Sequence, residues 1–573
     1  MPSTRASKEF WLLAITALLV IGAGLGLRDP WPSDEPRFAL VAKQMVESGN
    51  WLFPHRGVEL YSDKPPMLMW LQATFYMLLR DWRVAFLLPS LLASLVTLGC
   101  VYDLGRRLWT RRVGLYAAWT LLFAMHFTFQ AKKAQIDPLI VCFITLANYG
   151  LLRHLLLGPH WRWWWAGWLF AGVGVITKGV GVLALLMLVP AALAAWAGWP
   201  RVRLHARNVR FWLAPLALAL PVAAWLLPVV TAAMATGEPE YRAYLNDILF
   251  RQTAKRYVQS WDHHQPFWYH FATMATMWLP PILALPWAIP AWWRRLRRRD
   301  PRYLLPLAWW LLIVVFFSIP HGKRDVYILP ALPMFCLALA PLMPGLLRQR
   351  AVQWLLWLFT ALLTAFCLWA ALSVLLGKPA FERSLIELRG LDASAVTSMA
   401  WIILGCGAWG VGALAWSRVR RSAWALLSLL AVMWVVYGLV GYPILNASSS
   451  SRGVMEAVGR RIGPDAELGM VAWKEQNLLM ADRPAANFGF NVYWDEQLRR
   501  GVAWQAEHPD TRWLLVQEVA LLACVDRSRA HMAGVANRRR WWLVPAHAVI
   551  APCRPTPQEL ALARAEQGKI NVD

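Results

Sequence analysis

Between residues 10 and 442 the chain alternates long apolar runs with short polar breaks. The runs near 10–27, 84–104, 113–130, 138–152, 164–177, 179–197, 211–235, 268–291, 303–319, 326–345, 352–376, 398–416 and 423–442 each read as a membrane span. Hydropathy windows therefore give about 13 transmembrane helices. Several runs are shorter than the ~20 residues needed to cross a ~30 Å hydrocarbon core, so their ends are expected to extend into flanking residues. The stretch 67–79 decides the topology: about 13 helical residues rise only ~20 Å and do not cross. Read as a juxtamembrane or re-entrant helix, it leaves Arg106-Arg107, Arg111-Arg112, Arg201, Arg210, Arg294–Arg299, Arg348, Arg350, Arg418 and Arg421 on the side of Arg5 and Lys8. The positive-inside rule is then satisfied throughout; if 67–79 crossed, every later cluster would change sides.

On this topology the N-terminus is cytoplasmic. The loops 28–83, 131–137, 237–267, 320–325 and 377–397, with the tail from about 443, lie on the far side, in a bacterium the periplasm. The first apolar run ends in Gly-Leu-Arg-Asp-Pro without a small-x-small cleavage pattern and is expected to be a retained anchor. After Ser448–Ser451 the pattern changes to a helix-like stretch at 451–462, strand-like runs at Leu468–Trp473, Trp513–Val516 and Trp541–Val544, and a polar helical end near 557–567. The expectation is an α-helical polytopic membrane domain at 1–442 followed by a small periplasmic α/β domain at 443–573.

Composition sharpens this picture. With 58% hydrophobic residues and 38 Trp in 573 residues, a soluble protein is excluded. A net charge of +25 ordinarily points to nucleic acid, but the arginines sit in short clusters between apolar runs, where they act as topology signals. Nucleic acid is thus not an expected partner; membrane lipid is. Five of the seven cysteines lie in apolar runs; Cys524 and Cys553 share the exported tail, where they either pair or stay free.

The chemistry is expected in the polar island 28–83. Asp34-Glu35-Pro36 precedes a helical pattern with Phe38, Val41, Ala42 and Met45 on one face, so Asp34 suits both a helix cap and a catalytic carboxylate. In Asp63-Lys64-Pro65-Pro66 the prolines enforce extended backbone, placing Lys64 at the lip of the short apolar helix as a snorkelling anchor or a phosphate contact. Lys132-Lys133 lie on the far side, where lysine is disfavoured, and Asp137 follows either as a helix start or as a second carboxylate. Lys178, beside glycine near the far interface, either snorkels or serves the site, while the far-side cluster His321–Tyr327, with Lys323 and Arg324, together with Lys64 and Arg256 suits a lipid phosphate. Adjacent His263 and His264 lack metal-ligand spacing.

The series Asp34-Glu35-x-Arg37-Phe38, Asp63-Lys64-Pro65-Pro66, Asp137, Thr177-Lys178-Gly179, Arg256-Tyr257 and Lys323-x-x-x-Tyr327-Ile328-Leu329-Pro330 resembles the bacterial lipid A aminoarabinose transferases, within the protein-mannosyltransferase-like GT-C glycosyltransferases. The resemblance spans roughly residues 1–345. It implies a GT-C-like fold and an inner-membrane enzyme moving a sugar, pentosyl or hexosyl, from a polyprenyl-phosphate donor to lipid A or another envelope acceptor, with inversion. It further implies Asp34 as principal carboxylate with Asp137 and Glu35 assisting, and Lys64, Arg37, Arg256, Lys323, Tyr327 and Lys178 holding the donor phosphate. Where the family commonly reads Glu-Lys-Pro this chain has Asp63-Lys64-Pro65, which leaves a divalent metal cofactor open, with Asp63, His263 and His264 as its candidates. The competing class, a lipid or glycan flippase, calls for ionisable residues near the middle of spans, whereas here they cluster at interfaces.

Overall fold

A computed structural model describes residues 4–249, 264–377, 391–550 and 555–572. Arg256, His263 and Cys553 lie outside the described residues. The chain is a multi-pass membrane protein. Among the described residues eight helices are long and apolar enough to cross a bilayer, and Tyr269–Met277 with Pro281–Arg297 forms a ninth candidate bent by 100°. The expected count of about 13 therefore exceeds those that pass by length and composition. The remaining four expected runs are helical but shorter, broken or more polar: α1 (Thr4–Gly22), the pair Arg111–Leu122 and Met125–Ala131, Trp161–Lys178, and Val180–Trp196.

The polar island folds into two helices and a hairpin. In α2 (Glu35–Ser48) Phe38, Val41, Ala42 and Met45 form the predicted buried stripe, and Gly49 at φ 71° ends the helix by donating its N–H to the Met45 carbonyl. Helix α3 (Met67–Leu79) covers that stripe with Leu68, Met69 and Ala73. Burying each large side chain there contributes about 1.5–3 kcal/mol. α3 has the 13 residues expected and stops at Arg80 in the left-handed region. Between them β1 (His55–Arg56) and β2 (Glu59–Leu60) pair antiparallel around Gly57, φ 68°.

The tail carries a five-stranded sheet of order β4-β3-β5-β7-β6, with β3 (Glu467–Val471), β4 (Ala485–Asn487), β5 (Arg512–Gln517), β6 (His531–Ala536) and β7 (Arg539–Val544). β3 pairs parallel with β4 and β5; β7 runs antiparallel to β5 and β6. Side chains alternate along the strands as period-two geometry requires. Leu515 and Leu543 join Val454, Met455 and Val458 of the helix Arg452–Ile462, while Leu514, Val516 and Val544 join Trp494 and Leu498 of the helix Trp494–Glu507. The first of these cores also contains Ala39 and Leu40 of α2, so the tail is packed directly onto the polar island. Cys524 is disulfide-bonded.

Candidate functional site

Asp34 occupies the N-cap position of α2, yet its carboxylate makes no cap hydrogen bond. It turns instead to three side chains from distant loops and its own helix. Gln135 Nε2 donates to Oδ2 at 3.2 Å, Arg324 Nη2 approaches the same oxygen at 3.4 Å, and Arg37 Nη1 lies 3.8 Å from Oδ1. The carboxylate remains 17% exposed, open enough to meet a substrate.

Glu35, one residue on, is spent differently. It is buried in a two-oxygen ion pair with Arg28 and accepts the N–H groups of Trp31 at 2.9 Å and Ala134 at 2.8 Å. The Arg28 guanidinium is stacked among Trp31, Phe86 and Tyr442. Every acceptor site facing this pair is occupied, so Glu35 fixes the start of α2 against the 131–135 turn and thereby seats Asp34 beside Gln135. Glu35, expected to assist Asp34, is thus placed with both oxygens engaged by Arg28, Trp31 and Ala134. One of the two unexpected lysines of that turn also finds a cause. Lys132 Nζ is buried and donates to the carbonyls of Val20, Ile21 and Ala23, satisfying the free C-terminal end of α1. Burial, then the neighbouring Arg28 charge, pushes this lysine down to about 7.

Asp137 stands in the first turn of the helix Ile136–Leu157 and is ion-paired with Lys178, the last residue of Trp161–Lys178. The Lys178 ammonium lies 5.3 Å from the Tyr327 ring centre. Arg324 joins this group to Asp34: burial opposes its charge, but Asp34, then Asp137, Tyr327 and Asp325 hold its pKa above the usual arginine value. Lys323, expected among the phosphate ligands, is buried with Nζ on the Gln265 carbonyl at 3.1 Å; its neighbour Arg324 is the cation that reaches Asp34.

The second arm runs from Arg37 into the tail. Arg37 Nε donates to Glu475 Oε1 at 3.1 Å, and Arg56 Nη1 lies 3.7 Å from the same oxygen and 3.4 Å from Asp63. The Arg56 guanidinium is stacked 3.9 Å from the Phe490 ring centre. Lys64 Nζ donates to the Asp63 carbonyl at 2.9 Å, bringing its charge to the same rim. Lys474, beside Glu475, is pushed down to about 8 by burial first and then by the charge of Arg539, only partly offset by Glu475. Glu59 accepts from Asn491, and Asn487 from Val58 N–H, so tail and hairpin are fastened around this cluster. Arg56, Lys474 and Glu475 did not stand out in the sequence. The signal that could have flagged Glu475 is the polar run Lys474-Glu475-Gln476-Asn477 wedged between Trp473 and Leu478-Leu479.

Among the described residues no group of three or more His, Cys, Asp or Glu side chains is placed to hold a metal ion. Asp63 is turned to Arg56, and His264 is exposed with its ring 6.3 Å from that of His321. The arrangement at Asp34 is a half-open carboxylate between two arms of cations, suited to a nucleophile that must lose a proton and to a leaving group that departs as an anion.

Residues 63–227 match the family model for dolichyl-phosphate-mannose-protein mannosyltransferase. The undecaprenyl phosphate-α-4-amino-4-deoxy-L-arabinose arabinosyl transferase of Pseudomonas aeruginosa is 30% identical over 442 residues, 72% of this chain and 75% of that protein. The corresponding transferase 2 of Proteus mirabilis is 28% identical over 338 residues, and the match spans only 58% of its length. The crystal structure of ArnT from Cupriavidus metallidurans bound to undecaprenyl phosphate superposes with a TM-score of 0.73 at 19% identity, covering 96% of this chain and 99% of that one. This last likeness establishes the fold, GT-C-like as the resemblance implied.

Proposed function

Because the chain belongs to the family of undecaprenyl phosphate-aminoarabinose arabinosyl transferases, we propose that it transfers a sugar from a polyprenyl-phosphate donor to lipid A or another envelope acceptor. The observation that carries this reading is the Asp34 carboxylate, free of its cap bond and flanked by Arg324 and Arg37. A pentosyl donor of the aminoarabinose type is preferred over a hexosyl one on the strength of the relatives' names.

In the proposed reaction the acceptor oxygen attacks the anomeric carbon from the Asp34 side. The bond from that carbon to the donor phosphate breaks as the new one forms, the acceptor proton passes to Asp34, and polyprenyl phosphate leaves. One displacement inverts the centre. The transition state resembles an oxocarbenium ion, and fixed cations at the departing phosphate stabilise the charge that accumulates there. Arg37, Lys64 and Arg324 supply that charge, with Arg256 as a further ligand. Asp137, neutralised by Lys178, shapes the pocket beside Tyr327, and Glu35 acts through Arg28 as a positioning residue. Lys323 positions the 264–267 loop.

The reaction is assigned to the periplasmic face of the inner membrane, with the N-terminus cytoplasmic and the chain divided into a membrane domain, 1–442, and a periplasmic domain, 443–573. The positive-inside argument supports this orientation. Purified enzyme incubated with undecaprenyl-phosphate sugars and an envelope-lipid extract tests the proposal. Donor consumption with a matching mass gain in the lipid is expected; intact donor under every condition would reject the reaction.

A further inference from the structure

The reaction site does not account for a cavity of about 460 Å³ that opens toward the other membrane face. Glu9 and Leu12 of α1 border it, whereas the opposite end of α1 is held by Lys132 beside the Asp34 cluster. Thirteen helical residues, ~20 Å, separate Glu9 from Gly22. Leu115, Trp119 and Phe123 form one wall, at the i, i+4, i+8 spacing of a single helix face. Ala284, Met343 and Leu427 stand among the others. The 100° bend between Tyr269–Met277 and Pro281–Arg297 faces the gap with Pro280, Pro281 and Ala284 in place of a straight helix.

A cavity lined mostly by apolar side chains offers water few partners, and left empty it forfeits dispersion contacts along its lining. Hydrocarbon is the fitting content. The mouth selects the headgroup. Its one lining acid, Glu9, already lies 3.6 Å from Arg111. Arg112 lines the cavity, and Arg348, Arg350 and Arg421 are each within two residues of a lining side chain. All four are exposed and, among the described residues, in no ion pair. A cationic rim over an apolar cavity complements an anionic amphiphile.

We propose that this cavity binds an anionic glycerophospholipid of the surrounding membrane, an acyl chain between Trp119, Ala284 and Leu427 and the phosphate at Arg112. The donor of the proposed reaction is a different lipid, since its phosphate is required at the Asp34 end. The site therefore stands or falls independently of the transferase reading.

The test is native mass spectrometry of the full-length protein in mild detergent, titrated with phosphatidylglycerol or phosphatidylethanolamine. Wild type is expected to retain phosphatidylglycerol roughly fivefold more tightly, as one arginine near an anionic headgroup supplies. Ala284→Trp, which fills the cavity, should lose retention of both lipids. Arg112→Gln should lose the headgroup preference while keeping the fold, and decides the matter if Ala284→Trp elutes aggregated. Equal retention of the two lipids by wild type, an unchanged preference in Arg112→Gln, or co-purified polyprenyl phosphate displaced by Ala284→Trp would overturn the proposal.

Discussion

Arg37 and Glu475 meet at 3.1 Å across 438 residues of sequence, one on the first turn of α2 and the other on a five-residue helix of the tail. Glu475 also lies 3.7 Å from Arg56, so a single buried carboxylate holds two guanidiniums at the rim of the Asp34 site. The tail is thus part of the site's construction.

Glu475→Gln keeps the shape but removes the charge. A hydrogen bond to a charged group is worth ~1.5–3 kcal/mol, so a drop of about 10- to 100-fold in kcat/KM is expected. Glu475→Ala should in addition make the tail more susceptible to limited proteolysis, because the link from Arg37 to the tail is lost and the buried Arg56 keeps only Asp63 as its acidic partner. Unchanged kinetics in both variants would detach the tail from the reaction.

Arg324 and Lys323 are neighbours with separable roles. Arg324→Ala should weaken donor binding by about tenfold or more with little loss of stability, since its side chain is 38% exposed and its partner is Asp34. Lys323→Ala should instead lower thermal stability, because it removes the buried ammonium from the Gln265 carbonyl. Donor titration and thermal denaturation of the two variants, run side by side, check the division.

Lys474 sets a pH dependence. Burial holds its folded pKa near 8, against 10.5 for an ordinary lysine. Between these values the unfolded chain binds the proton that the folded chain has released, so stability rises with pH across that window. The destabilising contribution is full below pH 8 and gone above about 10.5. Lys474→Met should therefore raise the melting temperature at pH 7 and flatten its increase between pH 8 and 10, read by thermal denaturation.

Much of this was legible in the sequence where the cause is local. Apolar periodicity located α2 and the tail strands, and length alone set α3 apart from the spans. Asp34 and Asp63-Lys64 stood out because charge beside an apolar slab is costly without purpose. Glu475 did not, because its partners lie more than 400 residues away and a short polar helix looks like surface. The lysine pair of the 131–135 turn was recognisable as misplaced, but the reason for Lys132, the open end of α1, needed three dimensions. The Arg28 partner of Glu35 was not legible either: the pair spans seven residues across a helix start, where no periodicity announces it.

The orientation follows from the same charge clusters. Tags at residue 450 and residue 297 should report opposite sides of the membrane, 450 outside and 297 inside. The reverse labelling would make α3 a crossing helix.

The most direct measurement is single-turnover transfer by Asp34→Asn. The substitution leaves α2 without any lost cap bond, so the variant should insert in the membrane, melt close to wild type and still bind polyprenyl phosphate. Removing a general base costs typically 10²–10⁴-fold, and the account predicts turnover lowered by at least about a hundredfold with donor affinity retained. Turnover at the wild-type rate by a folded Asp34→Asn protein would contradict the assignment of this carboxylate as the group that takes the acceptor's proton.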